Sequence, residues 1–161
     1  RAGWTDGHAD LIHAHGTGTP AGDRAETAAI LRALVGADRA VVVSTKPITG
    51  HMLGAAGLAQ AVLTVRAMQT GRIPQAVNYR RSDPACDLDY NTDGPRRVDV
   101  ARALCMANGF GGGSAVVAQS PSSAARDLTR SRMRRRTFGS AILTKDRLSC
   151  TPSEELRKSD T

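Results

Sequence analysis

The pattern of apolar and polar positions along most of the chain predicts alternating strands and helices. Residues 9–16 alternate apolar and polar side chains and end at glycine, which indicates a short strand. Residues 23–36 have the composition of a helix, with Asp23 as a predicted N-cap and Gly36 as its stop. Residues 40–45 form a continuous β-branched run, which is typical of a buried central strand.

The pattern continues with a second helix and a hairpin. Residues 52–70 predict a helix that ends at Gly71 and is apolar on almost every face, so we expect it to be buried between other elements. Residues 72–90 indicate an extended, loop-like connection. Two strands, at 103–107 and 114–118, flank a glycine-rich turn and predict a hairpin.

The charge distribution divides the chain into two parts. Residues 1–120 hold twelve Lys and Arg against ten Asp and Glu, whereas residues 121–161 hold ten against five. Most of the net charge of +7 therefore lies in the second part, which is rich in Arg and Ser without a sustained period. We predict one folded domain over 1–120 and a disordered basic tail over 121–161. A natural linker and a shifted reading frame are alternative origins of that tail.

Composition narrows the class of protein. Apolar residues make up 40% of the 161 residues and aromatic residues only 3%, so the core must consist mainly of aliphatic side chains. The three cysteines, Cys86, Cys105 and Cys150, are widely spaced and indicate neither a disulfide framework nor a metal site. With no signal peptide and no apolar run of membrane-spanning length, we expect a cytoplasmic location. The first residue, Arg1, suggests a fragment of a longer protein.

Two histidines in glycine-rich segments are the strongest candidates for catalysis. His15 lies in "HAHGTGT" and His51 lies in "KPITGHMLG", five residues after Lys46. An imidazole at a helix N-terminus resists protonation, so His51 is predicted to be neutral and able to stabilise a developing oxyanion. The alternative is structural: His51 caps the helix and Lys46 pairs with Glu26.

Four segments together resemble the C-terminal half of β-ketoacyl-acyl-carrier-protein synthases. They are "HAHGTGTPAGDRAET", "STKPITGHMLGAAG", "SDPACDLDY" and "GFGG", and the resemblance covers roughly residues 5–119 in the order found in that family. It implies an α/β fold that is the C-terminal half of a thiolase-like fold, a mixed sheet with packed helices. It also implies an acyltransferase of fatty-acid or polyketide synthesis, which joins a cysteine-bound acyl group to malonyl-carrier protein by decarboxylative Claisen condensation.

The resemblance assigns roles to individual residues. It implies His15, His51 and Lys46 as catalytic, Thr17, Thr19, Phe110 and Gly111 as substrate-binding or gating, and Glu26 as structural support. No cofactor or metal is implied, because the substrates are carried on the phosphopantetheine arm of acyl carrier protein. The implied partners are acyl carrier protein, the missing N-terminal half and a second subunit, while a membrane or a nucleic acid is not expected.

The chain also departs from the family pattern. No cysteine matches the family nucleophile, so we expect this chain to be inactive in condensation by itself. Residues 106–108 are Met-Ala-Asn where the family usually has Asn-Ser-Phe, and Gln60 stands where many fatty-acid members carry Glu. Two alternatives remain: a non-catalytic partner subunit that resembles chain-length factors, and a nucleic-acid-binding protein, which would depend on the basic tail alone.

Overall fold

A mixed sheet with helices on both faces is the framework of the molecule. The structure is a computed structural model that describes Trp4, residues 7–121 and residues 138–144. The helices are α1 (Pro20–Ala33), α2 (Lys46–Thr49) and α3 (Ala56–Thr70). The strands are β1 (Leu11–His13), β2 (Val41–Val43), β3 (Arg72–Ile73), β4 (Asp89–Tyr90), β5 (Arg96–Arg97), β6 (Ala103–Asn108), β7 (Ser114–Pro121) and β8 (Phe138–Thr144).

The main sheet has the strand order β4-β2-β1-β6-β7-β8. Strand β1 lies between β2 and β6 and is parallel to both, and β4 is parallel to β2. Strands β6 and β7 form the predicted antiparallel hairpin, which is thereby confirmed. Because the parallel strands run in the same direction, their carboxyl ends meet at one edge of the sheet, where connecting loops form sites in such folds.

Alternating side chains of the central strands build a core on each face. Ile12 packs in one cluster with Ile30 of α1, and Leu11 packs in another with Met68 of α3. Because successive side chains of a strand point to opposite faces of the sheet, the neighbours Leu11 and Ile12 lie on opposite faces. His13, the next residue, is directed to the same face as Leu11 and is 1% exposed. The helices α1 and α3 therefore cover opposite sides of the sheet.

Helix α1 begins earlier than the sequence pattern predicts. Thr19 is the N-cap and Pro20 is the first helical residue, so the prediction of Asp23 as N-cap is wrong. Proline suits this first position because it needs no hydrogen-bond partner for an N–H and its φ is already helical. Gly36 does not end the helix either: α1 stops at Ala33, and Gly36 precedes a short 3-10 turn.

Helix α3 is also shorter than predicted at its beginning. Leu53–Ala55 form a separate 3-10 turn, and the α-helix starts at Ala56 and ends, as predicted, before Gly71. The expectation that α3 is buried on almost every face is wrong for this chain, because Leu58 is 72% and Val62 60% exposed. One stripe of the helix packs on the sheet, and an apolar stripe faces outward.

The segment predicted as a disordered tail contains a strand. Phe138–Thr144 form β8, which pairs antiparallel with β7 over seven residues, so the prediction of disorder is wrong there. The backbone N–H and C=O groups of β8 pair with those along the open edge of β7. This long-range pairing is not visible in a sequence pattern. The rest of 122–161 lies outside the described residues. Within the described ranges, no helix has the length and apolar character needed to cross a membrane.

Candidate active site

The two candidate histidines lie side by side, although they come from different loops. His15 follows β1, and His51 follows the short helix α2 that comes after β2. Their ring centroids are 5.4 Å apart, and the ring planes are inclined at 81°, an edge-to-face arrangement. The structure therefore brings together the two side chains that the sequence analysis placed in separate glycine-rich segments.

Two glycines permit this approach of the loops. Gly16 has φ 45°, and a Cβ at this position would lie 2.7 Å from Ser44 Cβ, so only glycine fits against the neighbouring loop. Gly50, directly before His51, has φ 73° and ψ 172°, a backbone region that is essentially restricted to glycine. Each glycine thus sets the direction in which the chain leaves or enters a histidine.

Glu26 of α1 fixes the backbone of the His15 loop. Its two carboxylate oxygens accept hydrogen bonds from the backbone N–H of His15 at 2.7 Å and of Gly16 at 2.9 Å. The side chain is 8% exposed, and burial raises the pKa of the carboxyl even though the two N–H groups act in the opposite direction. Glu26 therefore holds the backbone of this loop at two points.

Lys46 joins the His51 segment to the His15 loop. Its Nζ donates a hydrogen bond to the backbone carbonyl of His15. Burial lowers the pKa of Lys46, and the nearby charge of Glu26 partly offsets that effect. The contacts of the described residues include no direct hydrogen bond between Lys46 and Glu26, so the simple pairing considered from sequence is not what positions the lysine.

The His51 ring is oriented by its own turn. Its Nδ1 accepts a hydrogen bond of 3.1 Å from the backbone N–H of Leu53, a residue with φ 49°. An accepting Nδ1 carries no proton, so the proton of the neutral ring lies on Nε2. The prediction that His51 begins the long helix is wrong, because the 3-10 turn intervenes and a helix dipole acts only within about one turn.

The surroundings of His15 favour the uncharged form of its ring. Burial lowers the pKa of His15, and the positive charge of Lys46 and the neighbouring His51 lower it further, while Asp23 acts in the opposite direction. The His15 Nδ1 atom is buried and has no hydrogen-bond partner among the described residues. Such unpaired buried groups are uncommon in folded proteins and often mark functional sites.

A cavity of about 630 Å³ opens beside this pair of loops. Lys46 and His51 line one part of it, and Tyr79 and Tyr90, which stack with centroids 6.3 Å apart, line another. Thr17 also lines the cavity, and its hydroxyl oxygen lies 3.1 Å from that of Thr19, which is the N-cap of α1. Thr17 and His51 therefore line the same cavity, whereas Thr19 and His15 are adjacent to these residues without lining it.

The predicted gate lies apart from this cavity in the described structure. Phe110 and Gly111 belong to a 3-10 turn between β6 and β7, and neither lines the cavity. Phe110 is fully exposed, and Gly111 has φ 76°, a left-handed conformation that permits the tight turn. The role of these two residues as a gate stays a prediction.

The cysteines differ in burial and in their position relative to the cavity. Cys105 is 4% exposed in β6, and burial raises the pKa of its thiol, so it is a poor nucleophile. Cys86 lies on the loop before β4 and lines the cavity. Cys150 is outside the described residues. In the part of the chain that the structure describes, no group of three or more His, Cys, Asp or Glu side chains could hold a metal ion.

Sequence analysis missed a third histidine close to the site. His13 is buried, with Nδ1 3.0 Å from Thr64 Oγ1 and Nε2 3.1 Å from Thr45 Oγ1. Burial and, to a smaller extent, the charge of Lys46 lower the pKa of His13 to about 4. Its place on the inward face of an apolar strand was the available signal, because a histidine there needs buried hydrogen-bond partners.

Sequence comparisons identify relatives of this chain. Residues 1–80 match the model of the β-ketoacyl synthase C-terminal domain. The chain is 45% identical over 108 residues to 3-oxoacyl-[acyl-carrier-protein] synthase 2 of Synechocystis sp., which covers 66% of this chain and 26% of that protein. The Vibrio harveyi enzyme of the same name is 42% identical over 103 residues, which cover 63% of this chain and 25% of that protein. The chain therefore spans about a quarter of the length of these relatives.

Solved structures give the same family. The ishigamide ketosynthase/chain length factor aligns with a TM-score of 0.67 and 35% identity, over 72% of this chain and 28% of that chain. The structure of a type II polyketide synthase acyl-carrier protein in complex with its ketosynthase aligns with a TM-score of 0.68 and 30% identity, over 71% of this chain and 28% of that chain. The fold is thiolase-like, and the chain belongs to the β-ketoacyl synthase family, of which it carries the C-terminal domain.

Proposed function

We propose that this domain provides the decarboxylation site of a β-ketoacyl synthase, an acyltransferase that condenses an acyl thioester with malonyl-carrier protein. The observation that carries the proposal is the edge-to-face pair of His15 and His51, with ring centroids 5.4 Å apart beside an open cavity. Two N–H donors so close to each other are able to reach one thioester carbonyl oxygen, which is the geometry of an oxyanion hole.

The proposed step is the loss of carbon dioxide from the malonyl thioester. The bond between the carboxylate carbon and the α-carbon breaks, carbon dioxide leaves, and the electron pair moves into a thioester enolate. Negative charge collects on the thioester oxygen, where hydrogen bonds strengthen as the transition state forms. In the complete enzyme the enolate carbon would then attack the carbonyl carbon of the acyl thioester, the C–S bond would break, and the cysteine thiolate would leave. Without that acceptor the enolate carbon takes up a proton from water to give the acetyl thioester.

Uncharged rings suit this chemistry. The pKa of His15 is lowered by burial, Lys46 and His51, so the ring is neutral near pH 7. The hydrogen bond from the Leu53 N–H to His51 Nδ1 favours the tautomer that carries its N–H at Nε2. A neutral N–H donor stabilises an enolate oxygen without giving up its proton, as known oxyanion-stabilising histidines do.

The substrate arm and its carrier are proposed to approach through the threonine loop. Thr17 lines the cavity, its hydroxyl group contacts that of Thr19, and both residues are exposed. Hydroxyl groups of this kind suit the amides of a phosphopantetheine arm, so no resident cofactor is required. The related ketosynthase solved in complex with its acyl-carrier protein supports this choice of partner.

The nucleophile is proposed to come from another part of the enzyme. Cys105 is buried with a raised thiol pKa, and neither it nor Cys86 matches the expected nucleophile. We propose that the N-terminal part of the ketosynthase packs on the exposed stripe of α3 and brings the acyl-bearing cysteine, with Phe110 as its gate. A second subunit would complete the assembly, and condensation should not occur with this chain alone.

A second candidate function is that of a non-catalytic, chain-length-factor-like subunit. The likeness to the ishigamide ketosynthase/chain length factor, at 35% identity, favours it. A partner subunit that only shapes the product pocket would not need the apposed histidines or the Lys46 contact to the His15 carbonyl. We therefore rank it second.

The test is release of carbon dioxide from malonyl-carrier protein by the chain, with circular dichroism as a check of folding. We expect slow release and formation of acetyl-carrier protein, reduced about 10²–10³-fold or to background by His51→Ala. His8→Ala, which changes a histidine outside the cavity, is the matched control and should keep the wild-type rate. A folded wild-type chain that releases no more carbon dioxide than a protein-free sample would contradict the proposal and favour the partner subunit.

A further inference from the structure

We propose that His13 is a positioning residue that holds the His15, Lys46 and His51 elements in register through one buried ring. The proposal rests on the proposed function, because it assigns His13 a purpose in aligning that site. His13 is not placed in contact with substrate, so it acts through its neighbours. The observation behind the proposal is that both ring nitrogens are bonded to elements that each lead into the site.

The first link joins β1 to the segment that carries Lys46. His13 ends β1, two residues before His15, and its Nε2 lies 3.1 Å from the hydroxyl of Thr45. Thr45 is the N-cap of α2, and its backbone carbonyl accepts the N–H groups of Ile48 and Thr49 at 2.9 Å each. The ring is therefore tied to the residue that immediately precedes Lys46.

The second link joins β1 to the helix that follows His51. The Nδ1 of His13 lies 3.0 Å from the hydroxyl of Thr64, which is 1% exposed on α3. Helix α3 follows directly on the 3-10 turn whose Leu53 N–H orients the His51 ring. One imidazole thus contacts α2 through its cap and α3 through a buried hydroxyl.

A buried polar chain continues behind the ring. The Cys105 thiol donates to Thr64 Oγ1 at 3.1 Å, and its sulfur lies 3.6 Å from Gln119 Oε1, while the Gln119 amide donates to the Ala61 carbonyl at 3.3 Å. Each nitrogen of the His13 ring is thus paired with a hydroxyl group that is able to donate or to accept, whichever nitrogen carries the ring proton. Strands β6 and β7 therefore support the same ring.

An apolar residue would satisfy the packing at this position more simply. On the same face of the sheet, His13 has the aliphatic Leu11 and Val43 as neighbours and is paired with Cys105 of β6. Polar groups placed in such surroundings cost free energy unless every one is paired, but a fully paired network fixes one geometry of the elements that it joins. That fixed geometry is what two histidines in edge-to-face contact require.

The test uses the full chain with isotope-labelled histidine rings and follows the site by NMR. We record the nuclear Overhauser effect between the rings of His15 and His51, and the pH titration of His15. Thr45→Val removes the hydroxyl at nearly constant shape, whereas Thr45→Ser keeps it. We expect Thr45→Val to abolish the ring-to-ring effect and to shift the His15 titration to higher pH, with Thr45→Ser behaving as wild type.

A stability control separates positioning from general loosening. Ile73→Val shortens a fully buried side chain outside the network and should leave both signals unchanged. Thr64→Val tests the second contact independently and gives the same expected loss, so the proposal stays testable even when one variant fails to fold. Both signals retained in Thr45→Val and Thr64→Val would overturn the proposal, as would a His13 ring that is charged at pH 5.5 in the wild type.

The two proposals fail in different ways. Neither NMR signal depends on a malonyl thioester or on turnover. Absence of carbon dioxide release would therefore overturn the proposed function, while the NMR signals would still decide whether His13 aligns the two rings. Conversely, release of carbon dioxide that is lost in His51→Ala but unaffected in Thr45→Val would retain the proposed function and reject the positioning role.

Discussion

The imidazole rings of His15 and His51 meet edge to face with centroids 5.4 Å apart, although they lie on loops that follow different strands of the sheet. The backbone carbonyl of His15 also accepts a hydrogen bond from the Lys46 ammonium. The two loops are therefore joined by this contact as well as by the contact between the rings. Parallel β1 and β2 make this possible, because both strands end at the same edge. The site is therefore a property of the sheet and its loops together.

The anchor provided by Glu26 should be sensitive to the loss of one oxygen. Glu26→Gln replaces an acceptor by an NH₂ group, so the N–H of either His15 or Gly16 loses its partner. We expect the free energy of unfolding to fall by about 1–3 kcal/mol, measured by urea denaturation. Asp23→Asn is the matched control: its carboxylate accepts a single, exposed bond of 3.3 Å from Gly18, and the change should cost under about 0.5 kcal/mol. Equal effects of the two variants would contradict the anchor.

His13 should make the stability of the chain depend on pH. Its pKa is lowered from 6.5 to about 4 in the fold, so the unfolded chain binds a proton more readily between these values. Stability that is present above about pH 6.5 is then lost as the pH falls towards 4, by an amount on the order of 3 kcal/mol for this group.

Comparison with His13→Asn isolates this contribution, since other groups titrate in both proteins. The difference in unfolding free energy between wild type and the variant, measured by urea denaturation, should be largest at pH 7 and narrow as the pH falls to 4. A difference that is constant over this range would show that folding does not lower the pKa of His13, which would contradict the prediction.

The local pattern of apolar and polar residues is sufficient to predict the central strands, the two long helices and the hairpin, because each of these signals lies within its own segment. Element boundaries were less accurate, since Pro20 at the start of α1 outweighed the capping signal of Asp23. Strand β4 has only two residues, so its existence depends on pairing with the distant β2. Strand β8 is a short apolar run, FGSAILT, inside a segment rich in Arg and Ser, and the composition of that segment outweighed the local signal.

The site shows the same division between local and distant information. His15, His51 and Lys46 were found because glycine-rich segments and the family resemblance mark them. The buried partners of His13 could not be predicted, because Thr45 and Thr64 are 32 and 51 residues away from it in sequence. The folded sheet alone decides which hydroxyl groups reach its inward face.

The outward stripe of α3 should cause self-association of the isolated chain. Leu58 and Val62, four residues apart and 72% and 60% exposed, form an apolar surface on one side of the helix. Replacing both by Gln should reduce the sedimentation coefficient towards that of a monomer while changing stability by less than about 0.5 kcal/mol.

The matched control changes apolar residues near the other helix. Leu31→Gln with Val35→Gln replaces two residues that are 47% and 69% exposed, and should leave self-association unchanged. Sedimentation profiles that respond equally to both pairs would indicate a general effect of surface hydrophobicity, which would contradict a specific surface on α3.

The most direct test of the account is a double-mutant cycle on carbon dioxide release from malonyl-carrier protein, with His15→Gln, His51→Gln and the two combined. If both rings donate to one thioester oxygen, each single variant loses about 10²–10³-fold in rate, and the double variant loses far less than the product of the two losses. Single variants that keep the wild-type rate, or losses that multiply fully in the double variant, would contradict the convergence of the two rings on one oxygen.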